Sequence, residues 1–242
     1  MSPDQFARVA GSPGETPRIA GLMRVLWPFL FLAFTAGYLV RAAWPFPPMG
    51  TTAIGAGFLA LAGVLAWSVT LGRQRLESFL KGARGEEWVA RALSFLPATF
   101  RVYHGIASSE SRFGGDYDHV VVGPTGIFLI ETKSWNGRIT MRNGRVLYDG
   151  KEPDRPPLDQ VKEATGILRK ELREQVHRNL EVQPVLCFAQ GQVPDGRTGA
   201  SGVLICTADT LGEVLQEPPD ALLPQAIQKQ ACYYLDRRTA GA

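Results

Sequence analysis

Residues 113–137, FGGDYDHVVVGPTGIFLIETKSWNG, constrain this chain most, because two apolar runs flank a Gly-Pro-Thr-Gly turn. Strand side chains alternate between faces, so Asp118, Val120 and Val122 are expected on one face. Beyond the turn, Ile127, Leu129, Glu131 and Lys133 also share a face. If Val122 pairs with Ile127, each opposed pair of residue numbers sums to 249 and Asp118 meets Glu131. Like charges placed opposite each other destabilise a sheet, with their Cβ atoms about 4.5–5.5 Å apart. Such a pair is tolerated if one acid is protonated, if arginines neutralise both, or if a cation lies between them. The cation makes use of every part. Asp118 and Glu131 offer hard oxygen ligands to Mg²⁺ or Mn²⁺, with water filling the other positions. Lys133 projects to the Glu131 side, where an ammonium can position a water or stabilise charge developing on a phosphate.

The first third of the chain has a different character. The run VLWPFLFLAFTAGYLV lies between Arg24 and Arg41, and a longer apolar run covers residues 49–71. At 1.5 Å per helical residue the second is long enough to cross a hydrocarbon core of about 30 Å. In the first, flanking arginines can snorkel, and Trp27, Tyr38 and Trp44 suit the interfaces. The proline-rich link RAAWPFPPM reads as a turn. Two transmembrane helices, about 25–41 and 49–71, are therefore expected after a tail of residues 1–24. Arg8, Arg18 and Arg24 precede the pair, and Arg73, Arg75, Lys81 and Arg84 follow it. The positive-inside rule then places both termini in the cytoplasm, at the plasma membrane of a bacterium.

The remainder is nearly neutral: residues 73–242 hold 22 Lys and Arg against 21 Asp and Glu. Bulk charge therefore does not announce a nucleic-acid binder. Cys187, Cys206 and Cys232 lack metal-ligand spacing and form no disulfide framework, consistent with buried, reduced thiols. From Gln74 to Leu96 the chain reads helical, with Val89, Leu93 and Leu96 on a buried stripe and Glu86 beside it. A strand near Phe100–His104 precedes the hairpin. A second hairpin, RITMR and RVLYD, turns on Asn143-Gly144, the preferred pair for a type I′ turn. A helix is expected from about Leu158 to Arg178, with Gln160 in its first turn, where free N–H groups favour an anion. Two strands, VQPVLCFA and GVLICT, enclose a Gly-rich loop at 190–202, and two helices end the chain. Thr207 or Asp209 would cap the first of these, while Leu222, Ala226, Cys232 and Leu235 would pack on the core. The order is that of a mixed α/β sheet flanked by helices. His119 and Trp135 read as packing residues, Asp116 as an exposed alternative to Asp118, and Arg138 and Arg142 as a solvated strand face.

The segments GEEWVARAL, GGDYDHVVVGPTGIFLIETKSWNG and PLDQVKEATGIL together resemble the nuclease-related domain, assigned to the restriction-endonuclease-like PD-(D/E)xK superfamily. The resemblance covers roughly residues 80–190. It implies a restriction-endonuclease-like mixed central sheet flanked by helices, here preceded by the transmembrane hairpin. In that pattern Glu86 matches the acid of the first helix and Asp118 the metal-binding aspartate. Glu131 and Lys133 match the E-x-K pair, and Gln160 the glutamine of the following helix. The expected organisation is a nuclease-related domain at 76–190, with residues 191–242 adding a strand and helices to it. The expected activity is Mg²⁺- or Mn²⁺-dependent cleavage of nucleic acid, DNA rather than RNA, at the cytoplasmic membrane face. The alternative is a catalytically silent module of the same fold.

Overall fold

The computed structural model describes residues 6–13, 26–27, 30–38, 40–41, 56, 59–60, 63, 67, 77, 80–108 and 116–239. It separates into two compact units, residues 1–16 with 82–242, and residues 17–81. A seven-stranded mixed sheet organises the first unit. Its strands are β1 (Arg8–Ala10), β2 (Arg101–Ala107), β3 (Asp116–Gly123), β4 (Gly126–Lys133), β7 (Gln183–Phe188), β8 (Arg197–Ala200) and β9 (Val203–Thr207). They lie in the order β1-β2-β3-β4-β7-β9-β8. A separate two-stranded hairpin, β5 (Ile139–Arg142) and β6 (Arg145–Tyr148), leaves the sheet just after β4. The helices are α1 (residues 80–93), α2 (Pro157–Gln175), α3 (Ala208–Gln216) and α4 (Gln225–Thr239).

The β3–β4 ladder follows the expected register from Gly123↔Gly126 to His119↔Ile130. Both turn residues of the second hairpin, Asn143 and Gly144, have positive φ, as a type I′ turn requires. Two apolar layers cover the sheet. Val120, Val122, Leu129 and Phe188 pack on one side with Val161, Leu168 and Leu172 of α2 and Ala231 and Leu235 of α4. Val121, Phe128, Ile130 and Cys187 pack on the other with Val89 and Leu93 of α1 and Leu211 and Leu215 of α3. The β4-α2-β7 crossover joins parallel neighbours, and a helix is the ordinary way to make that connection. Thr207 stands at the N-cap of α3, where its backbone N–H donates to the Thr210 hydroxyl.

Several expectations change. Residues 8–10, read as tail, form β1 and pair in parallel with Arg101, Val102 and Tyr103 of β2. The Ala7 N–H donates to the Leu96 carbonyl, and Phe6 meets Phe95 edge-on. The loop at 190–202 contains a short turn, Pro194–Gly196, and strand β8. Leu222 is 63% exposed and Ala226 is also exposed, so only Leu235, fully buried, and Cys232, in part, pack as expected. Asp116 is half-buried, whereas Arg138 and Arg142 are exposed. Among the described residues no helix is long and apolar enough to cross a membrane. The first expected span, 25–41, is described in part and is helical at 30–38; most of the second, 49–71, lies outside the described residues. The transmembrane hairpin therefore has no counterpart among the described residues.

His104 and His119 face each other across the β2–β3 ladder, buried, with their Nδ1 atoms 2.6 Å apart. One ring must donate and the other accept, which excludes a doubly protonated pair. Burial lowers His104 to about 4, and burial together with His104 holds His119 well below the ordinary range. A depressed histidine favours the folded state above the unfolded pKa, so this stability is lost as pH falls below about 6.5. Imidazole carbon shifts followed by NMR should show both rings still neutral at pH 5. Either ring titrating near pH 6.5 would mean that the pair is solvated and contributes nothing to acid sensitivity.

Candidate active site

The β3–β4 ladder ends at His119↔Ile130, and the next residue on β3 is Asp118. Its Oδ2 accepts the Thr132 backbone N–H at 2.7 Å. A side chain thus replaces the ladder bond that β3 no longer supplies, and Thr132 keeps a partner where an orphaned N–H would be costly. Strict alternation does not extend this far. Tyr103 and Ile106 of β2 face the same core layer although three residues apart, as do Tyr117 and Val120 of β3. The pattern resets at the level of Gly105, whose φ is +61°, and of Asp118. The expected face-sharing of Asp118 with Val120 and Val122 is replaced by this break, which turns the carboxylate onto β4.

Glu131 and Lys133 stand on β4 as expected and form an ion pair, with Lys133 Nζ 2.7 Å from Glu131 Oε1. Both side chains are about one-fifth exposed. Burial raises the Asp118 pKa well above the ordinary carboxylate range; the charges of Glu131 and then Glu86 raise it further. The Thr132 N–H and Lys133 act in the opposite direction without cancelling these effects. Four of the expected residues are therefore electrostatically joined: Glu86, Asp118, Glu131 and Lys133.

Glu86 reaches this cluster because α1 lies unusually close to the end of β4. A Cβ added at Gly85 would fall 2.7 Å from Ser134 Cβ and 3.2 Å from Ser134 Cα. The flanking Ala83, Val89 and Leu93 are buried, which fixes the rotation of α1 and turns Glu86 inward. Gln160 is separate from this electrostatic group. It lies in the first turn of α2, half-buried, and its Oε1 is buried without a hydrogen-bond partner among the described residues. Trp135, next to Ser134, packs against Tyr148 and Phe188, with ring centroids 5.1 and 5.5 Å away. That wedge directs the chain off the sheet into the β5–β6 hairpin.

Among the described residues no three His, Cys, Asp or Glu side chains are arranged to enclose a metal ion. A hard cation that keeps several waters needs only one or two carboxylates. Asp118 uses Oδ2 for Thr132 and Glu131 uses Oε1 for Lys133, so one oxygen of each carries no such bond. An excess of negative charge around a carboxyl with a raised pKa fits a cation that would displace a proton. The donor set therefore suits Mg²⁺ or Mn²⁺ and lacks the nitrogen and sulfur ligands of a zinc site.

Sequence reasoning did not identify Gly85, Gly105 or the Thr132 N–H as parts of the site. Only Gly85 carried a readable signal, a glycine inside a helical pattern immediately before the inward acid. Gly85→Ala should leave the domain folded but push α1 away from Ser134 and Glu86 away from Asp118. Asp118 would then titrate closer to its ordinary value, which carboxyl carbon shifts in metal-free buffer would read. An unchanged titration would detach Glu86 from the site.

Residues 81–189 match the nuclease-related domain. An uncharacterized protein of Bacillus anthracis is 39% identical over 62 residues, 24% of this chain and 29% of that protein. The chain thus spans under a third of the length of this curated relative. No solved structure matches the chain. Glu86, Asp118, Glu131, Lys133 and Gln160 all fall inside the span that matches the nuclease-related domain.

Proposed function

We propose that the domain is a metal-dependent phosphodiesterase acting on nucleic acid, and that residues 25–71 hold it at the cytoplasmic face of a membrane. The observation that carries the catalytic reading is the joined set of Asp118, Glu131, Glu86 and Lys133 at the end of β4. Asp118 and Glu131 would hold Mg²⁺ or Mn²⁺. Bound there, the ion supplies Lewis acidity toward the scissile phosphate and lowers the pKa of a bound water. Lys133, restrained by Glu131, presents its ammonium where charge grows on the phosphate oxygens. Water gives up a proton to solvent and attacks phosphorus, the P–O bond to the leaving alkoxide breaks, and that alkoxide takes a proton from solvent. Glu86 adds negative charge to the cation-binding end and orients water there.

The membrane reading rests on two observations. Trp27, Leu30, Phe31, Phe34 and Tyr38 all lie on described helical positions and are all exposed, which is a costly surface in water. In addition, β1 pairs with β2 in one sheet. Both flanks of residues 17–81 must therefore be on the same side of any membrane that segment enters, as a two-span hairpin requires.

Two experiments test these readings. Lys133→Ala should retain metal binding and lose about 10²-fold or more of the cleavage rate, as loss of an electrostatic stabiliser does. Asp118→Asn should abolish the thermal stabilisation given by Mg²⁺ or Mn²⁺. If Lys133→Ala cleaves as fast as wild type, the mechanism is wrong; if wild type binds nucleic acid but never cleaves it, the silent-module reading replaces it. For topology, a cysteine introduced at Pro47 should be labelled from outside intact cells, whereas one at Ser78 should need permeabilisation. The reverse pattern would separate the site from cytosolic substrates.

A further inference from the structure

The exposed face of α4 carries Lys229, Tyr233 and Arg237 at successive i, i+4 positions, so the three form one ridge. Tyr233 is 66% exposed, and the Arg237 guanidinium lies 6.0 Å from its ring centroid. A groove of about 690 Å³ runs along one flank of the ridge, with Arg8, Thr99 and Arg101 on its far wall. A second groove of about 720 Å³ runs along the other flank, lined by Gln175, Gln230, Tyr234 and Arg238. Both grooves include Lys229 and Tyr233.

The charge on this surface is one-sided. Five cations line the two grooves (Arg8, Arg101, Lys229, Arg237 and Arg238) against one acid, Asp236. Asp236 is paired with Arg101 at 3.2 Å and Arg238 with Glu171 beside the second groove, so the excess positive charge rests on Arg8, Lys229 and Arg237. In a chain with 26 basic and 23 acidic residues overall, such a concentration is not a background property. A polyanion matches it, and an exposed tyrosine beside cations is a stacking surface for unpaired bases.

The ridge also leads toward the catalytic end. Arg238, in the last turn of α4, donates to the Ala107 carbonyl at the end of β2. Ala107 is in register with Asp116, two residues before Asp118 on β3. From Lys229 to Arg238 the helix rises by roughly 14 Å, the span of a few nucleotides.

We propose that the α4 ridge and its flanking grooves bind a single-stranded stretch of nucleic acid, with Lys229 and Arg237 on phosphates and Tyr233 under a base, and guide it to the Asp118 end of the sheet. This rests on the nucleic-acid reading of the domain, but its test does not require cleavage. The full chain, in detergent and with chelator present, is titrated with a fluorescein-labelled 12-nucleotide oligothymidylate, and anisotropy gives the affinity. Tyr233→Ala should weaken binding about tenfold, and Tyr233→Phe, which keeps the ring, should restore it. Lys229→Gln and Arg237→Gln should each reduce the slope of log affinity against log salt by about 0.7, the single-strand value for one phosphate contact. Melting temperatures of all variants establish that they fold.

Wild-type binding left unchanged by all three substitutions would overturn the proposal and leave the catalytic reading intact. Binding that depends on these residues in a protein that never cleaves would keep the proposal and remove the catalytic reading. Tighter binding to a 12-base-pair duplex than to the single strand would overturn it. So would the substitutions weakening binding to phosphatidylglycerol vesicles while sparing the oligonucleotide, since the face would then be a lipid contact.

Discussion

The Asp118 carboxylate on the Thr132 N–H is the interaction on which the site depends. It takes the place of a ladder bond where β3 and β4 part, so one hydrogen bond both closes the β3–β4 ladder and fixes the Asp118 carboxyl. An amide held by a carboxylate is a strong bond when the carboxylate is ionised. Yet burial, Glu131 and Glu86 all oppose ionisation of Asp118. The bond and the charge therefore pull against each other in the metal-free protein. A raised carboxyl pKa in the native state makes stability fall as pH rises from the ordinary carboxylate range toward the raised value. A bound cation reverses this by favouring the charged form. The site is strained electrostatically in a way that only a proton or a cation relieves.

The supporting structure keeps the strain in place. Gly85 lets α1 lie against Ser134, and buried Val89 and Leu93 prevent the helix from rotating Glu86 away. Trp135 wedges between Tyr148 and Phe188 and carries the chain off the sheet directly after Lys133. If β4 continued as a strand, its next residues would cover the carboxylates. The departure into β5 and β6 leaves the Glu131–Lys133 pair partly open to solvent, as a site for a polymer substrate requires.

What could be read from the sequence follows from how locally each feature is determined. The first hairpin was legible in register as far as His119↔Ile130, because a four-residue turn and two apolar runs leave one register that keeps both faces buried; the expected next pair, Asp118 with Glu131, is replaced by the Asp118–Thr132 bond. The Asn143-Gly144 turn was legible because few residue pairs accept two positive φ angles. Strand β1 was not, because Arg8-Val9-Ala10 has no alternation of its own and depends on pairing with residues more than ninety positions away. Strand β8, Arg197-Thr198-Gly199-Ala200, was hidden for a similar reason; it is an edge strand that pairs only with β9. The reset at Gly105 was invisible because alternation assumes an unbroken pleat. The proximity of Asp118 to Glu131 and Lys133 was legible from residue type and spacing, while the atom that fixes Asp118 is a backbone N–H that carries no sequence identity.

The charge distribution joins the catalytic end to the rest of the surface. A polyanionic substrate is repelled by a cluster holding Glu86, Asp118 and Glu131, where Lys133 is the one basic side chain among the charges acting on Asp118. On the proposed reading, attraction would then come from a cation held at that cluster and from positive charge elsewhere on the domain. The near balance of basic and acidic residues leaves no general field to supply it, so localised cations must do so. The α4 face would supply it through Arg8, Lys229 and Arg237, since Arg101 and Arg238 are paired with Asp236 and Glu171, and Arg238 connects that face to the strand end beside Asp116. On the proposed reading the acids would hold the metal and the basic face the substrate, two tasks of opposite charge placed on separate parts of one domain.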